Sequence, residues 1–239
     1  MQFVHWWVIP CGKEIHQIFR SNYWFQSYLE RAHKNINTTI SRNTGILFKL
    51  KDLLKEKSLF TLYNALILPY ITYCNIAWAN SNKTKTQSVH LLQKRALRIC
   101  THSHYLSSSE PLFHKLKTLK IHDIYTLQSA IFMYKYTSNT LPSSFHNLYT
   151  ANSNVHSYPT RHCKDYHLNN PKLIIAQKSI RHHGPDVWNK LPQQIKATTK
   201  LYSFKALVKK HILSQYKSSW YHGKIFYQAL FFLPYLIIS

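Results

Sequence analysis

The sequence predicts a mainly α protein, a helical bundle followed by a smaller helical region with one or two short strands. Three observations carry this. Apolar residues recur at helical spacing along several stretches. Glycine is scarce, 4 residues in 239, which disfavours tight hairpins and glycine-rich nucleotide loops. Hydrophobic residues make up 45% and aromatic residues 15%, enough to fill a core.

Residues 31–57 read as a helix with Ile36, Ile40 and Leu47 on related faces and Gly45 as an interruption. Ser58 fits an N-cap for the next stretch, SLFTLYNALILPYITYCNIAW (residues 58–78). That stretch is apolar almost all round, so it predicts a central buried helix bent or stopped near Pro69. A polar break, NSNKTKTQ (residues 80–87), precedes an amphipathic helix. Val89, Leu92, Ala96 and Ile99 form its apolar stripe, with Lys94, Arg95 and Arg98 on the other side.

A short helix is expected near Pro111, where proline suits a first turn. Residues 121–138 repeat the helical pattern with Ile124, Leu127, Ile131 and Tyr134 on one face. Residues 143–171 have no clear period and read as a long loop. KLIIAQKSIR (residues 172–181) is the candidate strand, and Gly184-Pro185 a turn signal. Ser203 suits the cap of a last helix in which Phe204, Leu207, Val208, His211 and Ile212 face inward, flanked by Lys205, Lys209 and Lys210.

The charge is lopsided, with 31 Lys and Arg against 8 Asp and Glu and a formal net charge of +23. Such a field repels itself without a polyanion, so nucleic acid or an anionic membrane is the expected partner. The apolar C-terminal stretch, residues 225–238, is interrupted by Gln228 and Pro234 and falls short of the ~20 apolar residues of a span. Membrane association is therefore the lesser alternative. The four scattered cysteines form no C-x-x-C pair, which makes a reducing compartment, cytoplasmic or nuclear, the default.

Chemistry is harder to find. No two carboxylates are adjacent, and only Asp52 and Glu56 are close, whereas two-metal phosphoryl transfer needs converging carboxylates. The loose set His156, His162, Cys163, His167, His182 and His183 lacks the paired spacing of a zinc site. There is no G-x-S-x-G elbow. No catalytic residue, metal or cofactor is expected. The basic faces lead instead: Lys94, Arg95 and Arg98, and the set Lys205, Lys209 and Lys210, are spaced to follow a phosphate backbone. Any amphipathic helix shows a polar face; the shortage of balancing acids is what favours a polyanion.

Several motifs occur in the order found in one family. They are ISRNTGILFKLKDLL (residues 40–54), LFTLYNALILPYITYCNIAW (59–78), LLQKRALRIC (91–100), LFHKLKTLKIHDIYTLQSAIFMYKY (112–136), LPSSFHNLYT (141–150), VHSYPTR (155–161), SIRHHGPDVWNKLPQQIK (179–196) and SFKALVKKHILSQY (203–216). Together they resemble the region after the polymerase palm of non-LTR (LINE, jockey-like) retrotransposon reverse transcriptases. The resemblance implies a thumb-like helical region over residues 31–105 and a C-terminal post-palm region over 106–217. Residues 1–30 and the apolar tail 218–239 resemble nothing in the family. It further implies non-specific contact with nucleic-acid backbone through Lys94, Arg95 and Arg98. The family's aromatic-x-Asp-Asp motif is absent from this sequence, so the expectation is a non-catalytic piece of an RNA-directed DNA polymerase. The alternative is an interaction remnant with no nucleic-acid role, its apolar helix around residues 62–71 exposed.

Overall fold

The computed structural model describes residues 15–79, 83–155, 161–168, 171–172, 174–177 and 179–232. The expected N-terminal segment therefore lies partly outside the described residues, as do residues 233–239 of the tail and His156.

Helix α1 (Ile15–Leu50) buries Leu29, His33, Ile40, Thr44 and Leu47, a stripe at steps of one or two helical turns, with half-buried Ile36 bridging the longest. It runs unbroken through Gly45, where an interruption was expected. That glycine is exposed and a Cβ there would meet nothing within 4 Å. Its cost to the helix, about 1 kcal/mol relative to alanine, is offset because Thr44 and Leu47 are buried on either side of it.

After a turn in which the Leu53 and Leu54 amides donate to the Leu50 carbonyl, the chain forms α2 (Glu56–Leu66), α3 (Leu68–Thr72) and α4 (Asn75–Trp78). Ser58 lies inside α2; the capping position is Lys55. The break before Pro69 is where the sequence predicts it, since proline suits a first helical turn and costs an amide farther in. The Leu66 carbonyl at the break accepts the Asn43 side-chain amide from α1. Cys74, at φ 46°, turns the chain into α4. There Trp78 meets the His33 ring edge-on at 5.3 Å, and His33 Nε2 donates to the Trp78 carbonyl (3.1 Å).

Helices α5 (Lys83–Cys100), α6 (Glu110–Lys115) and α7 (Ile121–Thr137) follow. The expected centre of the core was the 58–78 stretch, but Thr61, Asn64, Ala65 and Tyr70 are exposed there. The centre is α7, which buries Ile121, Ile124, Tyr125, Ser129, Ala130, Ile131, Met133 and Tyr134 and packs against α4, α5, α9 and α11. Being held on several sides, it hides residues from more than one face.

The expected long loop after α7 contains two 3₁₀ turns, Ser143–Phe145 and Asn152–Asn154, and a single antiparallel bridge between Ala151 and Tyr166. The remaining helices are α8 (Ile174–Gln177), α9 (Ile180–Lys190), α10 (Gln193–Lys196) and α11 (Leu201–Phe232). Among the described residues there is no strand. The candidate strand at 172–181 instead holds the turn α8 and the start of α9, because Ile180 is drawn into helix by the same surface that buries Val187 and Trp188.

Gly184 and Pro185 sit within α9, not in a turn. A Cβ on Gly184 would stand 2.9 Å from Tyr149 Oη and 3.0 Å from Met133 Sδ, so only glycine lets α9 come this close to α7. Pro185 removes one helical amide. The loop is tied to this seam: Tyr149 Oη donates to the Ile180 carbonyl (2.9 Å), and the Asn189 side chain bonds both the amide and the carbonyl of Tyr166.

Helix α11 buries Phe204, Val208 and Ile212, while Leu207, expected inward, is 40% exposed and His211 half-buried. A single apolar cluster extends from Leu29 on α1 to Ile212 on α11, so both helical regions share one core. Among the described residues no helix is long and apolar enough to cross a membrane.

Candidate nucleic-acid interface

Six of the eight acids have a partner in the fold, and Asp52 is exposed. Glu30 pairs with Lys85 (2.5 Å) and links α1 to α5; Glu56 pairs with Lys115 (2.7 Å) and links α2 to α6. Glu110 holds Lys120 (2.5 Å) just before α7, and Asp186 holds Lys190 (2.8 Å) within α9. Asp165 takes His162 at 2.8 Å and lies 3.9 Å from Lys196. Asp123 accepts a hydrogen bond from the Tyr216 hydroxyl, fastening α11 to α7. Exposed pairs of this kind add little stability each. Their consequence is electrostatic: five carboxylates are spread over the fold, each beside a basic side chain, so they gather nowhere into an acidic patch. No three His, Cys, Asp or Glu side chains converge on a common point among the described residues.

The inner face of α5 differs from the expected stripe. Val89 and Ala96 are buried as read, but Leu92 and Ile99 are only half-buried, and the seam is completed by Thr86, His90, Gln93, Leu97 and Cys100. Gln93 Nε2 donates to Tyr63 Oη (3.1 Å) and to the Leu119 carbonyl (2.9 Å), which satisfies the donor half of an amide that is costly to bury. Burial, reinforced by the Lys94 charge, pushes the His90 pKa down to about 4, and burial also lowers that of His33. Both rings are neutral near pH 7. Burial raises the Cys100 thiol to about 12, so it is no thiolate nucleophile.

The outer face carries the predicted cations. Arg95 is exposed and Lys94 half-buried. Arg98 is also half-buried, because its Nε donates to the Ser107 carbonyl (2.8 Å) and braces the loop after α5. Lys205, Lys209 and Lys210 are exposed on α11. That helix packs on α6, α7 and α10, whereas α5 packs on α1, α2, α6 and α7. The two predicted sets thus sit on two different helices, which share α6 and α7 as neighbours.

What the structure does bring together was not read from sequence. Helices α1 and α5 run in the same direction: Glu30 meets Lys85, and farther along Asn37 Nδ2 donates to Ser88 Oγ (2.7 Å). Outside this seam is an open trough lined by Asn37, Thr38, Ser41, Arg42, Gly45, Ser88, Leu91, Leu92 and Arg95. Thr38, Ser41, Arg42 and Gly45 recur at one-turn spacing, opposite Ile40 and Leu47. That run of small and polar residues was the available signal. Which helix stood across from it was not.

The trough has a definite chemistry. Its small side chains let a chain approach the helix backbones, and its lining holds two guanidiniums and no carboxylate. Guanidinium groups can grip phosphate oxygens with paired hydrogen bonds. Contacts of this type hold a strand without reading its bases.

No protein-family model matches the chain, and neither a curated protein nor a solved structure similar to it was found.

Proposed function

We propose that this chain grips a nucleic-acid backbone without performing chemistry on it, as the thumb-like and post-palm part of a non-LTR retrotransposon RNA-directed DNA polymerase would. The observation that carries the reading is the α1–α5 trough, with Arg42 and Arg95 in its lining and no acid beside them, in a chain of net charge +23. The resemblance adds support. The motifs at residues 40–54 and 91–100, far apart in sequence, supply Ser41, Arg42 and Gly45 to one wall and Leu91, Leu92 and Arg95 to the other. Lys94 extends the cationic face of α5, and Lys205, Lys209 and Lys210 offer a second place for phosphates. The reading carries an intracellular location with it, cytoplasmic or nuclear.

Fluorescence anisotropy with labelled single-stranded and duplex RNA and DNA, over a series of salt concentrations, tests this. Binding is expected at low ionic strength, with log affinity falling linearly against log salt. Replacing Arg42 and Arg95 together by Gln is expected to reduce that slope by roughly 1–2, at ~0.7 per phosphate on single strands and ~0.9 on duplex. Indifference to every oligonucleotide at low salt would overturn the proposal, as would an unchanged slope in the double variant.

A second reading, an interaction piece with no nucleic-acid role, rests on Tyr70 and Tyr73, which are 45% and 70% exposed and three residues apart on or beside α3. A chain that sediments as a stable monomer and binds oligonucleotides argues against it.

A further inference from the structure

The loop between α5 and α6 turns two apolar side chains to solvent, Tyr105 at 73% exposure and Leu106 at 72%. They are adjacent, at the tip of the segment THSHYLSSS (residues 101–109). A loop that merely lacked a core position for them would be expected to be loosely held. This one is built. The Ser103 amide donates to the Arg98 carbonyl (2.9 Å) and the Ser107 amide to the His104 carbonyl (3.0 Å). The Thr101 and Ser103 hydroxyls share a hydrogen bond of 2.8 Å. Arg98 Nε closes the loop onto the Ser107 carbonyl, and the Leu106 amide points at His104 Nδ1 (3.3 Å). His102 takes a left-handed conformation, φ 51°, to start the turn. The His104 ring lies 4.6 Å from the Tyr105 ring, centroid to centroid, and limits where the phenol can swing.

The surroundings specify the kind of ligand. The loop contains no acid, and Glu110, the first one after it, is paired with Lys120. Arg98 follows Arg95 by three residues on α5, so the arginine end of the trough and the loop succeed each other along one helix face. An aromatic ring beside a leucine, on a hydrogen-bonded loop with no acid and next to the arginine end of the trough, matches a base with its phosphates better than an apolar protein surface. An aromatic face accepts any base, and such stacking is worth ~1–3 kcal/mol per base.

We propose that Tyr105 and Leu106 form a stacking platform for an unpaired nucleobase whose strand continues into the α1–α5 trough. This rests on the backbone-binding function proposed above and adds to it a preference for strands that carry bases. The platform explains why Arg98 is turned into the loop: it positions the tip and is not itself a phosphate contact.

The test compares a short labelled oligothymidylate with an abasic strand of the same length and charge. Wild-type protein is expected to bind the oligothymidylate about 10-fold more tightly, corresponding to ~1.4 kcal/mol of stacking. Tyr105→Ala should abolish that preference while leaving the salt slope as it was; Tyr105→Phe should keep it, since the ring and not the hydroxyl acts. Tyr105 is so exposed that neither change should disturb folding, which a melting curve checks. Equal, salt-dependent binding of both strands by the wild-type protein would overturn the platform and leave the backbone reading standing. Failure to bind either strand at low salt would overturn both.

Discussion

Gly45 on α1 and Gly184 on α9 each lie within a helix that packs along another, yet they mark opposite kinds of seam. At Gly184 the missing side chain is filled by the neighbours, Tyr149 and Met133. At Gly45 nothing fills it, and the space opens onto a trough with Arg42 and Arg95 along it. The α7–α9 seam uses glycine to bring protein against protein. The α1–α5 seam is tied by Glu30 with Lys85 and Asn37 with Ser88 and stays open on its outer side. A glycine that costs helix stability and purchases no internal contact is a mark of a surface kept clear for something else.

The largest effect should come from closing the filled seam. Gly184→Val puts two methyl groups where one Cβ is already too close, and is expected to destabilise the chain by about 3 kcal/mol. Urea unfolding measures it; a loss below about 1 kcal/mol would mean that Tyr149 and Met133 yield easily and that the two glycines are not so different.

Acid should act at two places, the α7–α9 seam and the inner face of α5, because each encloses a neutral histidine. His90 is held at about 4 by burial, and His183, stacked 4.6 Å from Tyr125, is also lowered by burial. These pKa values are depressed in the folded state, so the unfolded chain takes up protons first. Stability should be intact above pH 6.5, fall as the pH drops from there, and level off once His90 itself protonates near pH 4. The His90 share is roughly 2–3 kcal/mol. Thermal melts between pH 7 and 4 should show this loss, and His90→Leu should flatten it. A wild-type melting temperature independent of pH over that range would remove the claim.

The smallest effect, and the one that separates the seams most directly, is at the open glycine. Gly45→Ala should stabilise the helix by up to ~1 kcal/mol and raise the melting temperature by about 2–3 °C. Its Cβ meets nothing, so oligonucleotide affinity should hold within about twofold. A fall in stability would show that the trough is not open in solution.

Much of the helical layout was legible in the residues. The stop before Pro69, the short helix at Pro111 and the stripe through Val89 and Ala96 follow from local chemistry. Three misreadings share one cause. Gln93 and His90 were not read as core, because hydrophobic pattern cannot anticipate that Tyr63 and Leu119 will stand ready to bond a buried amide. KLIIAQKSIR reads as a strand when its β-branched residues are weighed alone, but packing decides otherwise, with Ile180 entering the helix that buries Val187 and Trp188. The apolar 58–78 stretch is richer in large side chains than its position requires, and only neighbours on several sides could make α7 the centre.

The candidate site divides in the same way. Arg95 was legible as an exposed cation on an amphipathic helix; Arg42 was not, since nothing in its own segment says that α5 lies across from it. Sequence alone determined the helical character, the cation excess and the scarcity of acids, because these depend on composition and on contacts a few residues apart. Tertiary structure alone decided that α1 and α5 lie in parallel with their small residues facing a common trough, that Arg98 braces a loop and that Gly184 is a contact. Those outcomes depend on the fit between surfaces distant in the chain, and helical periodicity records which face a residue is on but not what that face will meet.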